Sequence, residues 1–240
     1  MTEPTPSFHM WSMTHIIVML VSALVVWAVV ADANRRRRKS PPDAEAFNRW
    51  LGIGILAFEV WHNLYWAFWH GKGFNIQESL PLHICDLAGL LAGFALLFPN
   101  RRLLALMYFW GMGLSSLSFL IPVLKLGPAH LEFWTFWISH LIVVGGAVYV
   151  VAAMNFRPKP RDLIFAISVS LAYGGFALLL DIWLGTNYVS LGKNSPPAEF
   201  LGPWPQRVPL LALAGVLLMT LTWVPWAIVS RIRTTPSPKP

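Results

Sequence analysis

The chain has 240 residues, 56% of them hydrophobic and only 12% charged, with a mean hydropathy of +0.56. A soluble domain carries about 25% charged residues, so this composition excludes one and requires a membrane as solvent. The net charge of +7 sits at the ends of apolar stretches, which excludes a nucleic-acid surface, and the single cysteine excludes an internal disulfide.

Seven stretches are long enough to cross a bilayer: 10–31, 47–70, 80–98, 103–121, 132–153, 163–184 and 208–230. The first is followed by Arg35–Lys39 and reads as a stop-transfer span, not a cleaved leader. Of the 18 basic residues, Lys72, Lys125, Lys193 and Arg207 fall in alternate loops; the other fourteen share the opposite side. The positive-inside rule then places the N-terminus outside and the C-terminus inside. The expected fold is all-α: one seven-helix membrane domain over 1–230, with 231–240 as a polar, disordered cytoplasmic tail.

In this orientation the ionisable residues converge in depth. His15, His62, His83, Cys85, Asp86, His140 and Asp181 fall in the outer halves of their spans, and Glu59 near mid-depth. Ionisable groups inside a membrane segment are expensive and mark function by default, so the pattern predicts an outward-opening polar pocket. The loop 185–207, rich in Gly and Pro, carries Trp204 between two prolines and reads as an interfacial wedge or lid.

Within the second stretch, Glu59, His62, Asn63 and Trp66 recur at spacings of three and four and share one helical face. That face pairs Glu59 with His62, either as part of a pocket or as a tie between two helices. The third stretch opens at Ser79-Leu-Pro81, a capping residue followed by proline, which predicts a helix start there. Cys85 would then lie about one turn in, where the positive end of the helix dipole favours a thiolate. Below it Gly89 and Gly93 leave the face bare for close approach of another helix.

A thiol with an imidazole suits nucleophilic catalysis, because the ring takes the thiol proton and returns it later. His83 is two positions from Cys85 and points elsewhere on a regular helix. The base is expected from another helix, with His140 the first choice and His62 the second. Asp86, three residues beyond His83, would orient that ring. The alternative is that Cys85 is a small buried hydrophobe, as most free cysteines are. His15 reads as a pocket residue or as a histidine at the headgroup boundary. A zinc site drawn from these histidines and carboxylates is a further alternative, although no His-x-x-x-His or Cys-x-x-Cys pair is present; no cofactor is predicted.

The motifs Ser-Met-Thr-His15, Glu59-Val-Trp-His62, Leu80-Pro-Leu-His-Ile-Cys85, Tyr108-Phe-Trp-Gly111, Pro122, Ile138-Ser-His140, Leu184-Gly-Thr-Asn-Tyr188 and Leu201-Gly-Pro-Trp-Pro205 occur in one order across the chain. As an ordered set they resemble the bacterial YwaF-type integral membrane proteins and their animal relative, transmembrane protein 164. The resemblance implies a cysteine-dependent acyltransferase that remodels phospholipids, with a fold distantly similar to the androgen-induced membrane hydrolases. It places the nucleophile on Cys85 and its partner on His140. Asp181 stands where that family has an asparagine, and Gln206-Arg207 replaces an aromatic pair.

The expected function is therefore a lipid acyltransferase or acyl hydrolase in a multi-pass membrane protein, located in a bacterial inner (cell) membrane and acting on membrane lipid. Ser139, beside His140, is a pocket candidate; Asn187, Tyr188 and the Trp110 N–H are candidate oxyanion donors. The rival readings are a small-ligand carrier or receptor without chemistry and a metal-dependent membrane hydrolase.

Overall fold

The computed structural model describes residues 7–69, 73–76, 79–193 and 196–234. Among the described residues seven long helical segments are formed, α1 Met13–Lys39, α2 Pro41–Leu64, α3 Ile84–Leu97, α4 Arg101–Leu120, α5 Leu131–Ala152, α6 Pro160–Leu184 and α7 Arg207–Thr234. Among the described residues there is no strand. By length and composition α1, α4, α5, α6 and residues Arg207–Ser230 of α7 can cross a membrane. The other two expected spans differ. α2 carries Asp43, Glu45, Arg49 and Glu59, and α3 has only 14 residues, about 21 Å of helix against a hydrocarbon core of about 30 Å.

Local chemistry sets the boundaries. Ser40 closes α1 through its N–H to the Arg36 carbonyl (2.8 Å) and opens α2 by accepting from the Asp43 N–H (3.4 Å), with Pro41 in the first turn. One residue therefore makes the hairpin, and α2 begins six residues before the expected stretch. Asn100 accepts from the N–H groups of Arg102 and Leu103 (both 3.1 Å) to start α4. The Asp162 carboxylate caps α6 by accepting from the Lys159 N–H (2.7 Å), and Gly185, at φ +67°, ends it. α2 continues as a π-helical turn over Tyr65–Trp69, and α4 contains another over Phe109–Ser115. α7 runs to Thr234, past the expected boundary at 230; the rest of the expected tail, 235–240, lies outside the described residues.

The helices alternate in direction. At one end, Arg37 donates to the Ala153 carbonyl (3.0 Å), and the Arg101 Nε bonds Asp162 (2.9 Å). That basic end gathers the C-termini of α1 and α5 and the N-termini of α4 and α6. At the other end, His15 near the start of α1 bonds the Phe119 carbonyl near the end of α4 (2.7 Å) and packs on Trp137 of α5.

α3 lies in the centre. Ala88, Ala92 and Ala95 are buried against Met107, Phe109, Val143 and Ala147 of α4 and α5. A Cβ on Gly52 would lie 3.0 Å from the Gly93 carbonyl, so glycine on both helices lets α2 and α3 touch backbone to backbone. By contrast α1, α6 and α7 expose large apolar side chains such as Leu20, Leu24, Leu171, Leu179, Leu213 and Leu217. Exposed leucine around a core of alanine and glycine is the pattern of a bundle solvated by lipid, because helices there associate through close packing, not through burial of bulk hydrophobes.

Candidate active site at the start of the third helix

Residues 79–83 are not helical, and α3 begins at Ile84 with His83 as its cap. The expected cap, Ser79, instead accepts from the Asn75 N–H (2.9 Å). Tertiary partners fix this lead-in, and one of them takes the Leu82 carbonyl that a longer helix would offer to the Asp86 N–H. Tyr188 donates its hydroxyl to the Ile76 carbonyl (2.6 Å) and accepts from the Leu80 N–H (3.1 Å), and Tyr173 donates to the Leu82 carbonyl. Asp86 accepts from the His83 N–H (3.2 Å) and so orients the helix start, not the His83 ring, which packs on Tyr188 at 5.4 Å.

Cys85 is consequently the second residue of its helix and half-buried. Its thiol points to Asp86 Oδ1 at 3.7 Å. The helix dipole at this end favours negative charge developing on sulfur, whereas the Asp86 carboxylate beside it opposes that charge.

Beside it lies an acid–imidazole cluster from three helices. Glu59 has no exposed surface, and its Oε1 accepts from the Ser139 hydroxyl (3.3 Å). Its Oε2 is 3.7 Å from His62 Nδ1, and neither of these two atoms has a hydrogen-bond partner among the described residues. Gly89 makes the room: a Cβ there would stand 2.5 Å from the Glu59 Cδ. Asp86 lies within electrostatic range of His83, His62 and Glu59, and His140 within that of His62. Asn63 does not join this face, because its side chain bonds the Glu59 backbone carbonyl (2.7 Å).

His140 stacks on Phe136 at 4.2 Å, and its Nδ1 contacts the Phe136 carbonyl at 2.8 Å. A carbonyl only accepts, so Nδ1 carries the proton and Nε2 has a free lone pair. Among the described residues no hydrogen bond joins His140 to Cys85; the acceptor beside the sulfur is Asp86.

The remaining candidates have other partners. His15 accepts from the Trp11 N–H at Nδ1 (2.9 Å), which leaves Nε2–H to donate to the Phe119 carbonyl (2.7 Å). Both nitrogens are used, and Phe8, Trp11 and Trp137 cage the ring; this histidine ties α1 to α4 and has no free lone pair for a pocket. Trp110 donates to Ser170 (2.8 Å) and Tyr188 to Ile76, so neither is a free oxyanion donor. Asn187 accepts from the Gly192 N–H (3.1 Å) through its carbonyl oxygen, which leaves its amide N–H groups. Asp181 accepts from the Thr186 hydroxyl (2.6 Å) and the Tyr188 N–H (2.8 Å), anchoring the loop after α6. Two residues that sequence reasoning did not place in the site, Tyr173 and Arg207, position it. The first holds the lead-in to α3; the second, buried, donates to the Gly192 (2.9 Å) and Lys193 (2.7 Å) carbonyls and pins the loop. A mid-span tyrosine needs a partner for its hydroxyl, and that was the available signal for Tyr173.

Among the described residues no three His, Cys, Asp or Glu side chains form a group able to hold a metal ion. A family model described as "TMEM164 family" matches residues 7–223. No curated protein and no solved structure matches the chain.

Proposed function

The chain belongs to the TMEM164 family, and from that membership we propose that this multi-pass membrane protein is a lipid acyltransferase in which Cys85 is the nucleophile. The observation that carries the reading is the thiol at a helix N-terminus, 3.7 Å from the Asp86 carboxylate, which itself lies within electrostatic range of His83 and His62. We further propose that all seven helices cross or enter the membrane, with the N-terminus outside, and that the site opens on that side of a bacterial inner membrane.

In the first half-reaction Cys85 Sγ attacks the carbonyl carbon of a lipid ester. The S–C bond forms, the thiol proton passes through Asp86 and the imidazoles to His140 Nε2, and the negative charge moves to the carbonyl oxygen. The backbone N–H groups of Ile84 and Cys85, at the start of α3, stand next to the sulfur and are the donors offered to that oxygen, with the Asn187 amide on the loop after α6 as a further candidate. The intermediate then collapses: the C–O bond breaks, His140 gives its proton to the departing oxygen, and a lysolipid leaves. In the second half-reaction a hydroxyl attacks the thioester, His140 takes its proton, and sulfur leaves and is reprotonated. A second lipid as the hydroxyl donor makes a transferase; water makes a hydrolase.

Glu59 holds no substrate in this scheme. It faces His62 from a fully buried position, and a carboxylate there stabilises the imidazolium state through which the proton passes. The test is turnover of a labelled phospholipid by protein in vesicles. Cys85→Ser is expected to abolish both acyl transfer and hydrolysis; full turnover by that variant would end the mechanism.

A further inference from the structure

Ser115, at the end of the π-helical turn of α4, is 1% exposed, and its hydroxyl has no hydrogen-bond partner among the described residues. Serine and threonine inside helices often turn the hydroxyl back on the carbonyl four residues earlier. Ser116, Ser170 and Thr220 do so, to Met112 (2.6 Å), Ala166 (2.8 Å) and Val216 (2.7 Å). A hydroxyl that is buried and left unpaired is costly, and π-helical turns gather at functional sites. Stability does not account for this side chain.

The register of α4 against α5 shows what it faces. A Cβ on Gly111 would lie 2.6 Å from both the Val143 carbonyl oxygen and the Ala147 Cβ, and Phe119 packs edge-on against Trp137 at 5.4 Å. Ser115 stands four residues from Gly111 and four from Phe119, so it shares their face. On α5, His140 stands three residues from Trp137 and three from Val143, on the face that those two share. The helices run in opposite directions, so Ser115 and His140 come to one level across the same interface. His140 Nδ1 is held by the Phe136 carbonyl, which leaves the lone pair of Nε2 for a donor. An oxygen between the two residues would meet a base on one side and a donor on the other.

A hydroxyl oxygen has one hydrogen to give and two lone pairs. In the second half-reaction its hydrogen goes to His140 Nε2, one lone pair attacks the thioester carbon, and the other is free to accept from Ser115. The O–C bond forms, the S–C bond breaks with its electron pair on sulfur, and Nε2 returns the proton to that sulfur. In the first half-reaction the departing ester oxygen passes the same position in reverse and takes the Nε2 proton while Ser115 donates to its developing charge. We propose that Ser115 is a catalytic residue whose hydroxyl donates to the oxygen that leaves in the first half-reaction and attacks in the second. That oxygen belongs to a lipid alcohol or to water. The assignment rests on the thioester mechanism proposed above.

The test follows each half-reaction in a single turnover, by intact mass of the full chain in phospholipid vesicles. In Ser115→Ala, acylation of Cys85 by a phospholipid ester should slow by about tenfold, the effect of one lost hydrogen bond. Decay of acyl-Cys85 should slow as much, with a lysolipid or with water alone as acceptor; slowing with only one of them would assign the attacking oxygen to that one. Two readouts separate this from a structural effect. Alkylation of Cys85 by iodoacetamide, whose leaving group is iodide, should be unchanged, and thermal stability should hold or rise. A donor with a thioester at the scissile bond should acylate Ser115→Ala nearly as fast as the unaltered chain, because sulfur is a weak acceptor. Ser116→Ala, whose hydroxyl is already bonded to Met112, should match the unaltered chain throughout. Full-rate ester turnover in Ser115→Ala, or an equal loss with iodoacetamide and with both donors, would overturn the proposal. If Cys85 of the unaltered chain is never acylated, the mechanism falls and this assignment with it; acylation with full-rate turnover in Ser115→Ala removes the assignment alone.

Discussion

Gly89→Ala isolates the buried acid without touching a titratable group. The new Cβ would stand 2.5 Å from the Glu59 Cδ and 2.6 and 2.7 Å from its two oxygens. Ordinary contact begins at about 3.5 Å, so the carboxylate must retreat by about 1 Å from its place between Ser139 and His62. Alanine improves the helix by up to about 1 kcal/mol, whereas overpacking costs about 1–3 kcal/mol; the net loss of stability is about 0–2 kcal/mol. Misplacement by about 1 Å costs catalysis on the order of a hundredfold. Lipid turnover in vesicles should therefore fall by about one to two orders of magnitude while thermal stability in detergent changes little. Adding Glu59→Asp, one methylene shorter, should recover part of the rate. Gly54→Ala, whose Cβ meets nothing within 4 Å, is the control and should leave turnover unchanged. Full activity in Gly89→Ala, with the protein folded, would refute the catalytic role given to Glu59.

Asp181→Leu removes the acceptor for the Thr186 hydroxyl and the Tyr188 N–H; a buried polar group without a partner costs about 1–3 kcal/mol, and limited proteolysis in the loop after α6 should accelerate. Asp162→Asn breaks the paired contact with Arg101 and, because the arginine is partly exposed, should lower stability by only about 1 kcal/mol in a thermal melt. His15→Phe keeps the aromatic cage and removes the bond to the Phe119 carbonyl; it should lower stability and spare kcat, and a loss of kcat alone would bring His15 back to the chemistry. In a Cys85→Ser background, cysteine placed at Ser7 should react with an impermeant maleimide in intact cells, and cysteine placed at Asn155 only after permeabilisation; the reverse pattern would invert the orientation.

The fold was readable where physics is local. Apolar length and the basic run Arg35–Lys39 mark the helices to within a turn or two, because a bilayer leaves the backbone few alternatives; the caps Ser40 and Asn100 came only with the structure. The start of α3 was misplaced for a reason outside its own sequence. Ser79 and Pro81 have the makings of a helix start, but Tyr173, more than ninety residues away, claims the Leu82 carbonyl that such a helix would use, while Tyr188 holds the chain before it at Ile76 and Leu80. The site was half legible. Depth can be derived from span order and charge, and it put His62, Asp86 and His140 in the outer halves of their spans with Glu59 near mid-depth; the lateral arrangement of helices cannot, so the direct Cys85–His140 contact was expected and Asp86 stands beside the sulfur. The pairing of Glu59 with His62 followed from their spacing. The glycine that makes room for it, Gly89, had been read only as a bare face.

The central claim is that Cys85 carries the acyl group, and intact-mass spectrometry of the protein after brief incubation with a phospholipid donor tests it most directly. A mass increase of one acyl chain is expected, mapped to Cys85, released by hydroxylamine and absent from Cys85→Ser. An unmodified thiol in protein that is turning lipid over, with Cys85→Ser turning it over as fast, would contradict it.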